Sequence, residues 1–302
     1  MLGCLFFAPR AIAGAWTHEP NKFYVEASIS YFQASESFDR DGNRRGVGLL
    51  PDPQVPSSIF AGLIPSTYEQ LDASLYAEYG LPADFEAVLF FPFFRFSQQD
   101  SSVGEFDTTG IGDATVGMKY KWFERPWLVS AVMAEVGIPV GDEEAMGHVA
   151  GQNSQPIPLG DGEWDYAIRF FASRSFHPVP AYVSADFGYR FRTSSGVVDF
   201  GDDLPWSLDG GYTFEFGEGW FSGITPNLAF RGVIATKNTS TATLLNLSVS
   251  GNAPNQEFVD IQPGLFVHVF KGLGWNNSFS YTLAGENTGA GWTVRSGLTY
   301  EN

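Results

Sequence analysis

Lys119, Lys121 and Glu135 carry the first chemical signal in the chain. Each stands opposite a run of apolar residues. From Asp113 to Trp122, the residues Asp113, Thr115, Gly117, Lys119 and Lys121 alternate with Ala114, Val116, Met118, Tyr120 and Trp122. In the next segment Met133, Glu135 and Gly137 alternate with Val132, Ala134, Val136 and Ile138. Charges of both signs on one face of a two-faced hairpin can do two things. They can pair across strands and fill an interior, or they can order water and orient a solute moving past them. The sequence leaves both open.

The same unlike faces recur along the chain. They assign Glu26, Asp72, Glu78, Asp113, Lys119, Lys121, Glu135, Asp165, Arg169, Asp186, Arg190, Arg192, Asp209, Glu215, Arg231, Asp260, His268 and Arg295 to one common lining. Acids and bases are nearly balanced there. Strong selectivity for one ion sign needs rings of one charge, so it is not expected. Further acids fall in connecting segments, among them Asp100, Glu105, Asp107, Asp142, Glu143, Glu144, Asp199, Asp202 and Asp203.

Catalytic chemistry finds no purchase. The four histidines are His18, His148, His177 and His268, and only His268 falls on the lining face of a strand. No Gly-x-Ser-x-Gly elbow occurs, and no nucleophile stands beside a base. No histidine pair has metal-ligand spacing. Asp39-Arg40-Asp41-Gly42-Asn43 begins like a calcium loop but lacks its closing Glu, and reads as a solvated turn. The expectation is no catalytic residue, no metal and no cofactor.

Period-two alternation means strands with two environments. Further such segments lie near 22–32, 68–79, 84–96, 162–176, 181–192, 206–216, 220–234, 258–270, 275–283 and 292–300. Short turns alternate with longer polar loops, and both chain ends fall on the short-turn side. Aromatics such as Trp122 and Trp127 mark strand ends. Apolar residues outside, charges inside and aromatic ends describe a transmembrane antiparallel up-and-down β-barrel of about twelve strands. It is all-β, with one barrel domain over 16–302.

Composition agrees. The chain has 302 residues, 44% hydrophobic and 16% aromatic, with 34 glycines. No apolar run reaches the ~18 residues of a membrane helix, so a spanning reading must be a closed barrel. A net charge of −17 argues against nucleic acid as a partner. The single cysteine, Cys4, excludes a disulfide framework. Residues 1–15 read as the end of a secretory signal, with Ala13-Gly14-Ala15 placing cleavage before Trp16. Strand one starts so soon afterwards that no globular N-terminal plug is expected.

The hairpin GIGDATVGMKYKW…VMAEVGIPVGD resembles the signature of the outer-membrane barrels assigned to transport in the phenol meta-degradation pathway. LYAEYGLPADFEAVL and LGDGEWDYAIRFFASRSF resemble its second hairpin and sixth strand. The resemblance spans most of the chain and implies passage of hydrophobic or aromatic compounds. That family is distantly similar to the long-chain fatty-acid transporter barrels, whose N-terminal hatch this chain lacks. The resemblance implies residence in the bacterial outer membrane, contact with lipid and lipopolysaccharide, insertion by the barrel-assembly machinery, and a small-molecule solute.

One strand is unusually aromatic. If residues 84–96 form a regular strand, Phe90, Phe94 and Phe96 face inward and could bind such a solute. Pro92 in its middle marks a bulge if it is tolerated at all. Two other readings remain: a surface adhesin or scaffold barrel that works through its loops, and a soluble β-sandwich.

Overall fold

The computed structural model describes residues 14–39, 41–46, 67–101, 104–147, 155–193, 201–217, 219–236 and 256–302. Cys4 and most of the expected leader lie outside that set, as do Arg40, His148 and Asp199. No α-helix occurs among the described residues.

The strands are β1 (Phe23–Phe38), β2 (Arg44–Gly46), β3 (Tyr68–Gly80), β4 (Phe85–Ser101), β5 (Gly104–Gly110), β6 (Ala114–Arg125), β7 (Leu128–Ile138), β8 (Met146–Gly147) and β9 (Gln155–Pro156). They continue as β10 (Asp165–Ser175), β11 (Ala181–Arg192), β12 (Asp203–Tyr212), β13 (Phe214–Glu215), β14 (Phe221–Ala235), β15 (Glu257–Val269), β16 (Leu273–Glu286) and β17 (Thr288–Glu301). One sheet runs β12-β11-β10-β7-β6-β4-β3-β1-β17-β16-β15-β14, and β12 also pairs β14. The sheet therefore closes on itself as a 12-strand antiparallel barrel. Strands β2, β5 and β13 are side branches, and β8 pairs β9 separately. A single closed sheet has no facing sheet, so the sandwich reading fails.

Closure gives every ladder group a partner, which lipid demands. The two sides of the wall differ as the alternation requires. Neighbours Phe170 and Phe171 are 58% and 5% exposed, so one faces out and the other in. On β6, Val116, Met118, Tyr120 and Trp122 are all exposed, while Lys119 between them is buried. Exposed Trp122, Trp127, Phe176, Phe216, Trp220, Phe270 and Tyr300 form an aromatic girdle at the short-turn end.

Strand β4 departs from regularity where the proline stands. Ala73 pairs Phe94 and Leu75 pairs Phe91, so Pro92 and Phe93 together oppose Ser74. Two residues against one is a β-bulge, and it shifts the side-chain phase by one. Glu86, Val88 and Phe90 face inward before it; Arg95 and Ser97 face inward after it. Phe94 and Phe96, paired with outward Ala73 and Leu71, therefore lie on the outer face. Of the three proposed solute-facing phenylalanines only Phe90 points into the barrel.

Three other boundaries move. The closing loop expected around residues 285–291 is a hairpin in which Asn287, at φ 51°, alone separates β16 from β17. Glycines 285, 289 and 291 carry no side chain to alternate, which hides the strand ends. Strand β12 starts at Asp203, so that residue belongs to the wall rather than to an acidic loop. The expected loop after residue 96 is largely strand, since β4 continues to Ser101 and pairs with β5.

The phase shift is directly testable. Phe94→Arg places a charge on the lipid face and should destabilise the folded barrel in liposomes by on the order of 2 kcal/mol. Phe94→Leu should be near neutral. Urea titration in lipid reads both, and a tolerated arginine would put Phe94 inside.

Candidate functional site

The lumen is built in three layers. At the short-turn end lies an apolar cluster of Tyr24, Tyr76, Val88, Val129, Ala131, Met133 and Phe171, joined by Ala15. Phe90 and Trp16 pack against it. At the long-loop end Phe32, Ala34 and Tyr68 from the wall meet Phe106 of β5 and Ile157 after β9. Polar and charged side chains occupy the middle and the opposite wall.

Residues 14–22 do not pass by the barrel; they enter it. The Ala15 amide donates to Ser173 Oγ at 2.8 Å, and Lys119 Nζ lies 3.4 Å from the Gly14 carbonyl. The His18 amide donates to Glu86 Oε2 at 2.7 Å, and His18 Nδ1 lies 2.8 Å from the same oxygen. Trp16 meets Tyr182 edge to face, with ring centroids 6.5 Å apart. At the mouth the Asn21 amide donates to the Gly80 carbonyl. A side chain at Gly80 would collide with the carbonyls of His18 and Glu19, so glycine permits this crossing. The expectation of no globular plug did not anticipate this short entering segment. The segment lacks periodicity because no sheet holds it; side chains on the wall do.

Four of the lining charges meet here or beside it. Lys119 Nζ is 2.5 Å from Glu86 Oε1 and 3.8 Å from Glu78 Oε1. Tyr76 donates to Glu78 at 2.5 Å. Glu135 is buried on the same wall. Lys121 sits lower, between Asp84 at 3.3 Å and Glu124 at 2.6 Å. His18, Glu78 and Glu86 present ligand atoms within 4.8 Å of one another. The Lys119 ammonium already lies against both carboxylates, so a metal ion there would have to displace it.

The seam where the first and last strands meet carries another pair. Arg295 donates to Glu26 Oε1 through Nε at 3.0 Å and Nη2 at 2.6 Å. Tyr24 and Asn276 donate to Glu26 Oε2 at 2.8 and 3.1 Å. Asp72 accepts from Arg95 Nε at 2.9 Å, while Arg95 Nη1 donates to the Leu159 carbonyl at 2.8 Å and ties a loop to the wall.

The opposite wall is a ladder of alternating sign across β10, β11 and β12. Arg169 pairs with Asp186, and Arg190 with Asp203. Asp165 lies 3.4 Å from both Arg190 and Arg192, and Asp161 is 3.5 Å from Arg192. Asp203 thus moves from the predicted acidic loops into the lumen. Arg231 stands across from Asp260 in register and within the field of Asp209. His268 Nε2 lies 2.8 Å from Thr225 Oγ1, and Glu215 is exposed at the rim.

Outside the spanning strands three carboxyls are tuned. Asp113 precedes β6 and accepts from the Gly141 and Asp161 amides, both at 2.9 Å. Burial nevertheless raises it above the usual carboxylate range, and Asp161 likewise. Asp39 accepts from the Asn43 and Asp41 amides, which hold its carboxyl low. This closes an Asx turn.

Sequence reasoning missed Trp16, His18, Tyr182, Glu86 and Arg95. Glu86 was visible as a lone acid in phase with Val88 and Phe90. The rest needed the entering segment or the bulge to be known.

Two outcomes follow. Glu26→Ala leaves Arg295 buried without its carboxylate and should destabilise the barrel by about 3 kcal/mol, read by denaturant unfolding. His18 is raised above the ordinary imidazole value of ~6.5, chiefly by its bond to Glu86, with Glu78 and Glu301 adding and burial opposing. Lys119 on β6 is the facing cation. A raised folded value stabilises the docked segment below ~6.5, and that hold is lost as pH rises through the raised value. Protease cleavage within residues 16–22 should therefore speed up with alkalinity in the wild type. In His18→Gln the cleavage rate should no longer follow pH over that interval.

Solved structures share the architecture. An outer-membrane channel from Pseudomonas putida F1 superposes with a TM-score of 0.67 at 12% identity, covering 97% of this chain and 100% of that one. The β domain of the Bordetella autotransporter BrkA gives 0.53 at 12% identity, covering 93% and 100%. At such identities the likeness is one of fold. No curated protein sequence matches this one. Residues 74–294, from β3 to β17, match the family described as "Putative MetA-pathway of phenol degradation", and the chain, a transmembrane β-barrel of the outer-membrane type, belongs to that family.

Proposed function

We propose that this barrel is an outer-membrane channel for small hydrophobic or aromatic compounds. One observation carries the reading. The lumen wall holds a contiguous apolar and aromatic strip of Phe90, Met133, Phe171 and Tyr76 beside a polar wall whose charges are paired. A channel for inorganic ions has no use for such a strip. The family resemblance points the same way, and the P. putida neighbour is itself an outer-membrane channel.

The paired charges set the electrostatics of the path. Arg169 with Asp186 and Arg190 with Asp203 leave little net field, so neither anions nor cations are favoured. An uncharged aromatic solute gives up far less hydration free energy than an ion and gains ring contacts on the strip. The reading carries two partners with it: lipopolysaccharide around the long-loop end, and the barrel-assembly machinery that inserts such chains.

Purified protein in liposomes should accelerate entry of phenol, followed by a trapped indicator enzyme or dye. The uptake ratio of phenol to a sugar of similar size should exceed that of a general porin. Phe171→Asp, which charges the strip, should lower phenol uptake several-fold and leave small-ion conductance near its original value. Equal rates with and without protein would leave a closed structural barrel as the better account.

A further inference from the structure

The strip that would receive solute already has an occupant. Trp16 packs on the apolar cluster and meets Tyr182 edge to face, and Ala15 beside it is wholly buried. The contacts are those a planar aromatic ligand would make: one edge-to-face ring and an apolar cluster to pack on. The segment is held at its flanks rather than at the ring. His18 is bonded to Glu86 through both amide and imidazole, and the Asn21 amide is bonded to Gly80. Asn21 turns the chain into the lumen at φ 67°.

We propose that Trp16 is a tethered surrogate ligand: its indole fills an aromatic-binding subsite on the lumen wall, formed by Tyr182 and the apolar cluster beside it, and an incoming planar, uncharged aromatic binds there by displacing it. The inference rests on the channel reading and deepens it by assigning the subsite, the ligand class and the competitor. Tyr182 belongs to the subsite through geometry. It pairs with Gly211, which leaves room for the ring: a Cβ at that glycine would press on Tyr182. Trp16 and His18, the two residues the inference uses, both follow the expected processing site; cleavage there removes Gly14 and Ala15 with their contacts to Lys119 and Ser173, and the His18–Glu86 and Asn21–Gly80 bonds then hold the segment.

Competition explains why a site for apolar solute can exist in a barrel that meets water at both ends. An open aromatic strip would be wet and unfavourable. Covering it with a ring on a short tether keeps it dry while a ligand of the same class is absent. The tether makes the competitor intramolecular, at high effective concentration, so solute binds more weakly than to the bare strip and releases readily.

Free indole is the probe, dialysed against the detergent-embedded full chain with a detergent-only blank. Trp16→Ala should bind one indole saturably and at least about tenfold more tightly than wild type, the change that removing roughly 1.4 kcal/mol of competing ring burial produces. Trp16→Phe should resemble wild type, and adding Tyr182→Ala to Trp16→Ala should abolish the gain. Heat-modifiable gel mobility confirms that each variant is folded. Equal indole affinity in wild type and Trp16→Ala, or no saturable binding in either, would overturn the surrogate-ligand inference. Phenol uptake in liposomes separates this from the channel reading. Uptake without any gain in indole binding sinks the surrogate alone. A gain in binding with no uptake by any variant sinks the channel and leaves the subsite.

Discussion

A strand in lipid has no water to satisfy its backbone, and everything else in this molecule depends on that constraint. It forces β12 to find β14 and β1 to find β17, so the sheet has no free edge in the wall. Closure then fixes two environments, and a period of two sorts residues between them. Charge cannot face hydrocarbon without a penalty of a few kcal/mol, so Lys119, Arg169 and Arg190 must point inward. Once inside they must be neutralised, and a fixed register decides by whom. Arg190 faces Asp203 because β11 and β12 pair those two residues. A slip of one residue would send both into lipid, so the ion pairs and the register enforce one another.

Burial decides what these pairs contribute. Taking two charges out of water costs several kcal/mol per ion, and mutual attraction recovers this only with good geometry. Glu26 shows such geometry: two donations from Arg295, one from Tyr24 and one from Asn276. With its geometry met, the pair offsets its own desolvation, and losing one partner costs more than the pair itself contributes. Lys119 is different. It serves Glu86, Glu78 and the Gly14 carbonyl together, so the wall and the entering segment share one cation. Any movement of the segment would therefore rearrange that charge group.

The barrel was legible because its rule is local. Alternation at Val116, Met118 and Tyr120 needs only neighbouring residues, and the twelve segments follow from it. What lay outside the rule was lost. Phe94 and Phe96 are in phase with Phe90 in sequence and still face lipid, because Pro92 and Phe93 insert one extra residue. A proline signals that a bulge is possible; only the partner strand shows on which side the phase resumes. Asp203 looked like a loop acid because Leu204-Pro205 breaks the pattern before Trp206. Trp16 and His18 carry no period at all. Their positions are set by Glu86, Ser173 and Tyr182, residues far away in sequence, and no reading of neighbours could reach them.

The lumen's two apolar layers pose a single physical question with one answer. Apolar surface exposed to water costs about 25 cal/mol per Å², so a strip the size of several aromatic rings cannot stay bare without several kcal/mol of penalty. At the long-loop end Phe106 and Ile157 cover Phe32 and Tyr68 through elements anchored at both ends, with Arg95 bonded to the Leu159 carbonyl. At the short-turn end the cover is a segment tied to the wall by amide bonds, one imidazole and one lysine. The two covers solve the same problem with unequal strength. A ladder of β4 and β5 must lose many backbone bonds to open, whereas Trp16 has only a ring contact to give up. Displacement by a solute of matching chemistry therefore begins at the short-turn end, where the apolar surface released from one ring is at once taken by another.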